Sequence, residues 1–125
     1  MEATHVVDRG AERVRSGAID VSVSTHVLDA VLGRPAAGMT VQLLDEQGLV
    51  AEGTTDADGR CRLTEEPTAV GPHRLVFGTG PWFEFQGRET FWPEVVLTFA
   101  VREPTEHHHV PLLLSPFSYS TYRGS

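Results

Sequence analysis

The sequence predicts an all-β fold, an antiparallel β-sandwich with one short helix. Three observations carry that expectation. Apolar residues recur with a period of two in several short stretches, breaker clusters separate those stretches, and a single segment loses the alternation in a way that suits a helix.

Residues 1–18, "MEATHVVDRGAERVRSGA", are small and charged with no sustained period, and are expected to form a disordered leader ahead of a folded domain over 19–125. From Ile19 the pattern changes. In "IDVSVSTHV" the apolar Ile19, Val21, Val23 and Val27 alternate with Asp20, Ser22, Ser24 and His26, which predicts a half-buried strand with His26 on the face opposite the valines. "GRPAAG" (Gly33 to Gly38) breaks the chain. "MTVQLLDEQGLVAEGTTDADGR" then reads as two strands joined at Glu46-Gln47-Gly48, followed by a turn at Asp56-Ala57-Asp58-Gly59. "HRLVFG" is another strand. "PWFEFQGRE" suits a short helix, with Pro81 at a first helical position. "EVVLTFAV", "HHHVPLLLS" and "FSYSTYR" complete the set of strands.

At 125 residues the chain can bury one sizeable core, and 40% apolar with 22% charged residues is the composition of a soluble globular protein. A net charge of -7 argues against a nucleic-acid partner, and no apolar run approaches a membrane span, so no membrane partner is expected. The lone Cys61 has no partner for an internal disulfide, and the chain ends Arg-Gly-Ser rather than in a peroxisomal signal; cytoplasm is the expected compartment. All ten basic residues are arginine, which removes Schiff-base lysine chemistry.

Of the six histidines, His5 and His73 are expected at the surface. His107, His108 and His109 are consecutive on a predicted strand, so the first and third share one face while His108 points to the other. Such a His-x-His pair can chelate zinc, but closing a site needs a third ligand and the only cysteine gives no nearby thiolate motif; no metal or cofactor is expected. Ser115, Ser118, Ser120 and Ser125 lack the Gly-x-Ser-x-Gly elbow of a nucleophilic serine. Asp56 and Asp58 most simply stabilise their turn. The residues that remain are His26, Arg60, His109 and the C-terminal tail "YSTYRGS" (Tyr119 to Ser125), rich in hydrogen-bonding groups; the sequence alone does not say that they meet.

Two segments, "STHVLDAVLGRPAAGMTVQLL" and "HHHVPLLLSPFSYSTYRGS", closely resemble the signatures of the 5-hydroxyisourate hydrolases, the enzymatic branch of the transthyretin-like proteins. Between them, "TTDADGR" and "FGTGPWFEFQGRETFWPEV" resemble that family's Asp-Gly-Arg turn and aromatic segment. The resemblance covers about Ile19 to Ser125. It implies a sandwich of two four-stranded sheets with one short helix, assembled as a homotetramer (a dimer of dimers) with active sites in the channel between dimers. It implies hydrolysis of 5-hydroxyisourate, without a cofactor, in urate breakdown. His26, Arg60, His109 and Ser125 match the family's catalytic positions, and His107, Tyr122, Arg123 and Gly124 match positions expected to bind substrate. One departure is His108, where the family commonly has tyrosine. Two other readings stay open: a transthyretin-like carrier of an apolar molecule, and a metal-binding role for His107 and His109.

Overall fold

The computed structural model describes residues 23–65 and 69–125, with the backbone of His5 and Val6. Apart from those two residues, the expected leader over 1–18 lies outside the described residues, as do Ile19 and Val21 of the first expected strand.

The described strands are β1 (His5–Val6), β2 (Val23–Asp29), β3 (Arg34–Pro35), β4 (Thr40–Asp45), β5 (Gly48–Thr54), β6 (Arg60–Thr64) and β7 (Gly71–Phe77), then helix α1 (Thr79–Phe85), then β8 (Val95–Val101), β9 (His108–Ser115) and β10 (Ser118–Thr121). They form two sheets. One runs β1-β5-β4-β7-β8; the other runs β10-β9-β2-β3, with β6 also paired to β2. Setting aside the two-residue strands β1 and β3, each sheet has the four strands expected. Every described pairing is antiparallel except that of β2 with β9, which is parallel.

The period of two places the core. Val23 and Val27 of β2, Leu43 of β4, Leu75 and Phe77 of β7 and Leu112 of β9 all point between the sheets and are essentially solvent-free. Three differences from the sequence expectation have physical reasons. Strand β6, "RCRLT", was not expected; it alternates Cys61 and Leu63 inward with Arg60 and Arg62 outward, a pattern masked by its shortness. His73 is buried rather than at the surface, because it shares the inward face of β7 with Leu75 and Phe77. Its Nδ1–H donates to the Gly71 carbonyl at 3.0 Å, and its ring packs on Phe99. Helix α1 starts at Thr79, two positions before Pro81, since the Thr79 hydroxyl donates to the Trp92 carbonyl at 2.8 Å and fixes the first turn; there the missing N–H of Pro81 costs nothing.

One charged pair ties the helix end to β2. Asp29 is buried, accepts the backbone N–H groups of Val31 and Leu32 at 3.0 Å each, and meets the Arg88 guanidinium at 2.7 Å. Arg88 also lies over the Phe83 ring at 4.8 Å. Burial alone would raise the Asp29 carboxyl, but Arg88 and the two amides outweigh it and hold the group below its ordinary 3.8. The pair's contribution is therefore present above about pH 4 and lost as pH falls through the depressed value. Arg88→Ala leaves this carboxylate buried and short of its cation. Because Arg88 is partly solvated, the expected loss of unfolding free energy in urea melts is about 2–3 kcal/mol, below the range for fully buried pairs.

Candidate active site

The outer face of the β2 sheet gathers the candidate residues. With Val23, Thr25 and Val27 turned inward, Ser24 and His26 turn outward. Across the antiparallel pairing with β6, His26 stands opposite Arg60 and Ser24 opposite Arg62; across the parallel pairing with β9, Ser24 stands beside His109. Three strands thus bring polar residues from three distant parts of the sequence onto one face.

The turn before β6 sets the position of Arg60. The Asp56 carboxylate accepts the backbone N–H of Asp58 and of Arg60, each at 2.9 Å, and the bond from Arg60 is the main reason its pKa lies below 3.8. Gly59 has φ +78°, and a Cβ there would stand 2.4 Å from the Val27 carbonyl oxygen, so only glycine lets this turn press against β2. The same turn orients His26: its Nε2 lies 2.8 Å from the Asp58 carbonyl oxygen. A carbonyl only accepts, so Nε2 carries the proton and neutral His26 has its lone pair on Nδ1.

His107 and His109 stack with ring centroids 6.1 Å apart and planes 13° from parallel. Ser24 Oγ sits between them, 2.8 Å from His109 Nδ1 and 3.3 Å from His107 Nε2. The C-terminal tail closes over the pair. The Gly124 N–H donates to the His109 carbonyl at 2.8 Å, and a Cβ on Gly124 would stand 2.5 Å from His109 Cδ2. The result is a cleft of about 330 Å³ lined by Ser24, Arg60, Arg62, His107, His109 and Ser125. Tyr122 and Arg123 line a neighbouring cavity of about 390 Å³ with Phe99 and His108, and His109 lines both it and the cleft; Arg123 pairs with Glu106 at 3.0 Å.

Burial lowers the pKa of His109 below 6.5, and His107, His26 and Arg60 lower it further, so the imidazole is neutral at pH 7. A neutral imidazole beside a fixed guanidinium can take a proton from water while the cation holds a developing negative charge. His108 points away from the stacked His107 and His109, as expected, and is buried there; its pKa is lowered first by burial and then by Arg123. Among the described residues, no group of three or more His, Cys, Asp or Glu side chains converges to hold a metal.

Of the residues singled out from sequence, Arg60, His107, His109 and Ser125 line one cleft, His26 stands opposite Arg60 on the same sheet face without lining that cleft, and Gly124 packs on the His109 ring. Tyr122 and Arg123 lie on the strap leading to it. Sequence reasoning missed Ser24 and Arg62, although the alternation that put His26 outward also places Ser24, two residues earlier, on the same face.

Two packed sheets, with a histidine pair, an arginine and the C-terminus gathered on one outer face, define a transthyretin-type sandwich with a polar cleft. The chain belongs to the HIUase/Transthyretin family, whose model matches residues 23–124. It is similar to the 5-hydroxyisourate hydrolase of Caulobacter vibrioides, 46% identical over 112 residues that cover 82% of this chain and 97% of that protein. Among solved structures, Klebsiella pneumoniae 5-hydroxyisourate hydrolase superposes with a TM-score of 0.77 at 38% identity, covering 83% of this chain and 93% of that one. Sea bream transthyretin in complex with thyroxine superposes with a TM-score of 0.73 at 32% identity, covering 82% and 93%. One fold thus hosts a named hydrolase and a thyroxine complex, and the site has to decide between catalysis and carriage.

Proposed function

We propose that this protein is a 5-hydroxyisourate hydrolase, opening the six-membered ring of its substrate to 2-oxo-4-hydroxy-4-carboxy-5-ureidoimidazoline in urate breakdown. The observation that carries the reading is the convergence of neutral His109, stacked His107, Arg60 and Ser125 on one cleft. A hormone-like ligand favours an apolar lining, and this lining is mostly hydrogen-bonding.

Ring opening needs a nucleophilic water, a partner for the carbonyl oxygen as it gains charge, and a proton for the departing nitrogen. His109 and His26 hold the water, and His109 Nε2 takes its proton. Arg60 binds the substrate carbonyl and stabilises the oxyanion. Ser125 and Gly124 complete the wall against which the substrate rests. Tyr122 and Arg123 contribute to substrate binding by holding the strap that carries those two residues in. The chain acts in the cytoplasm without a cofactor, as a homotetramer with its sites in the channel between dimers. The position of the cleft on an outer sheet face, where a facing dimer could cover it, supports that assembly.

The test is a spectroscopic decay assay. Urate oxidase generates 5-hydroxyisourate in the cuvette, and its loss is followed with and without the protein. Acceleration over the spontaneous rate that disappears in His109→Ala supports the reading. No acceleration from a folded oligomer, together with thyroxine binding, would favour carriage instead.

The pH profile follows from the environment of His109. Only the neutral ring can take a proton from water, so kcat/KM should rise with pH along an acid limb and then level off. Because burial and the neighbouring cations depress the group, the midpoint of that limb should fall below 6.5. A midpoint well above that value would assign the limb to another group.

A further inference from the structure

We propose that Ser24 relays a proton between His109 and His107, allowing one imidazole to serve as both base and acid in a single turnover. The purpose of the relay rests on the hydrolase reading above, while its geometry stands on its own. Ser24 Oγ lies between the stacked rings, within reach of His109 Nδ1 at 2.8 Å and His107 Nε2 at 3.3 Å. A hydroxyl carries one proton, so it can donate to only one of these nitrogens and must accept from the other. The tautomers of the two histidines are therefore linked through a side chain that need not touch substrate.

In the resting arrangement, His109 donates its Nδ1–H to Ser24 Oγ, and Ser24 donates its O–H to His107 Nε2. The proton of neutral His107 is then on Nδ1, and the lone pair of His109 is on Nε2. When His109 Nε2 takes a proton from water, the hydroxide adds to the substrate carbonyl. His109 Nδ1 passes its proton to Ser24 as Ser24 passes its own to His107 Nε2. His109 is left neutral with an Nε2–H, and His107 holds the positive charge. As the carbonyl re-forms and the ring C–N bond breaks, His107 returns its proton through Ser24 to His109 Nδ1 while His109 Nε2–H protonates the departing nitrogen, so His109 never passes through an imidazolate and the starting state is restored. One proton enters from water and one leaves on the product, and no oxidant or metal takes part in the exchange. Burial of His109 and the nearby Arg60 oppose a lasting charge on that ring, which favours passing it on.

Two measurements test the relay in the full-length protein. In turnover, Ser24→Ala should lower kcat by about tenfold or more with KM within about twofold, while Ser24→Thr, which keeps the hydroxyl, should stay within about threefold of the parent. In nitrogen-15 spectra of histidine-labelled protein, His109 should rest as the Nδ1–H tautomer and move toward Nε2–H in Ser24→Ala but not in Ser24→Thr. A resting Nε2–H tautomer, a tautomer that alanine does not move, or an alanine variant that keeps kcat within about twofold overturns the relay. The spectra need no substrate. A parent protein inactive toward 5-hydroxyisourate would therefore count against the hydrolase reading, leaving the tautomer result to judge Ser24.

Discussion

Arg60→Ala should slow turnover of 5-hydroxyisourate by roughly a hundredfold or more, the effect of removing one preorganised oxyanion donor worth about 2.7–4 kcal/mol. Arg60 begins β6 directly after a turn whose carboxylate, Asp56, holds the Arg60 amide at 2.9 Å, and it stands opposite His26. The backbone that carries the guanidinium is thus fixed before substrate arrives, and preorganisation is what gives such a donor its leverage. The exposed side chain makes no core contact, so alanine should leave the melting behaviour close to that of the parent. A second readout separates this role from general damage. Arg60 is one of the cations that depress His109, so its removal should move the acid limb of kcat/KM to higher pH. Turnover within threefold of the parent would remove Arg60 from the oxyanion role, and a lost rate with an unmoved acid limb would place the guanidinium further from His109 than the electrostatics require.

Much of this arrangement is legible in the sequence because one rule, the two-residue period of a strand, governs both core and site. "VSTHVLD" announces its buried and exposed faces directly, and the exposed face already carries Ser24 and His26. His73 shows the cost of letting residue type override that rule: a histidine was expected outside, although "HRLVF" places it in register with Leu75 and Phe77. The meeting of His109 with Ser24 was not legible. The two residues are 85 positions apart, and their strands pair in parallel, so no hairpin links them and no local pattern sets their register. Strand β6 escaped notice for a related reason. Five residues with two outward arginines look like a polar loop until the inward Cys61 and Leu63 are matched to β2. The site was therefore readable as a set of outward-facing residues, and its geometry only as a property of strand order.

Removing Tyr122 to Ser125 should abolish turnover while leaving the fold and the proposed oligomer intact. Within the chain, the last four residues contribute little to the core: Tyr122, Arg123 and Ser125 are exposed, and β10 ends at Thr121, before the deletion begins. What they do contribute is the backbone bond from Gly124 to the His109 carbonyl and the Ser125 wall of the cleft. If the tail served only to fasten the last strand, its loss would instead show as a lower melting temperature or dissociation in light scattering. Gly124→Ala gives the sharper form of the same test, because it removes no group and adds one methyl. That methyl would fall 2.5 Å from His109 Cδ2, closer than carbon atoms tolerate, so either the imidazole tilts away from Ser24 or the tail lifts from β9. Either movement misplaces the His109 ring relative to a bound water, and a misplacement on the order of 1 Å can cost about a hundredfold in rate. The expected result is a folded oligomer with kcat reduced at least about tenfold and a stability change too small to explain it. Unchanged turnover in Gly124→Ala would mean that the tail does not press on His109 during catalysis, and the deletion phenotype would then have to come from Ser125 alone.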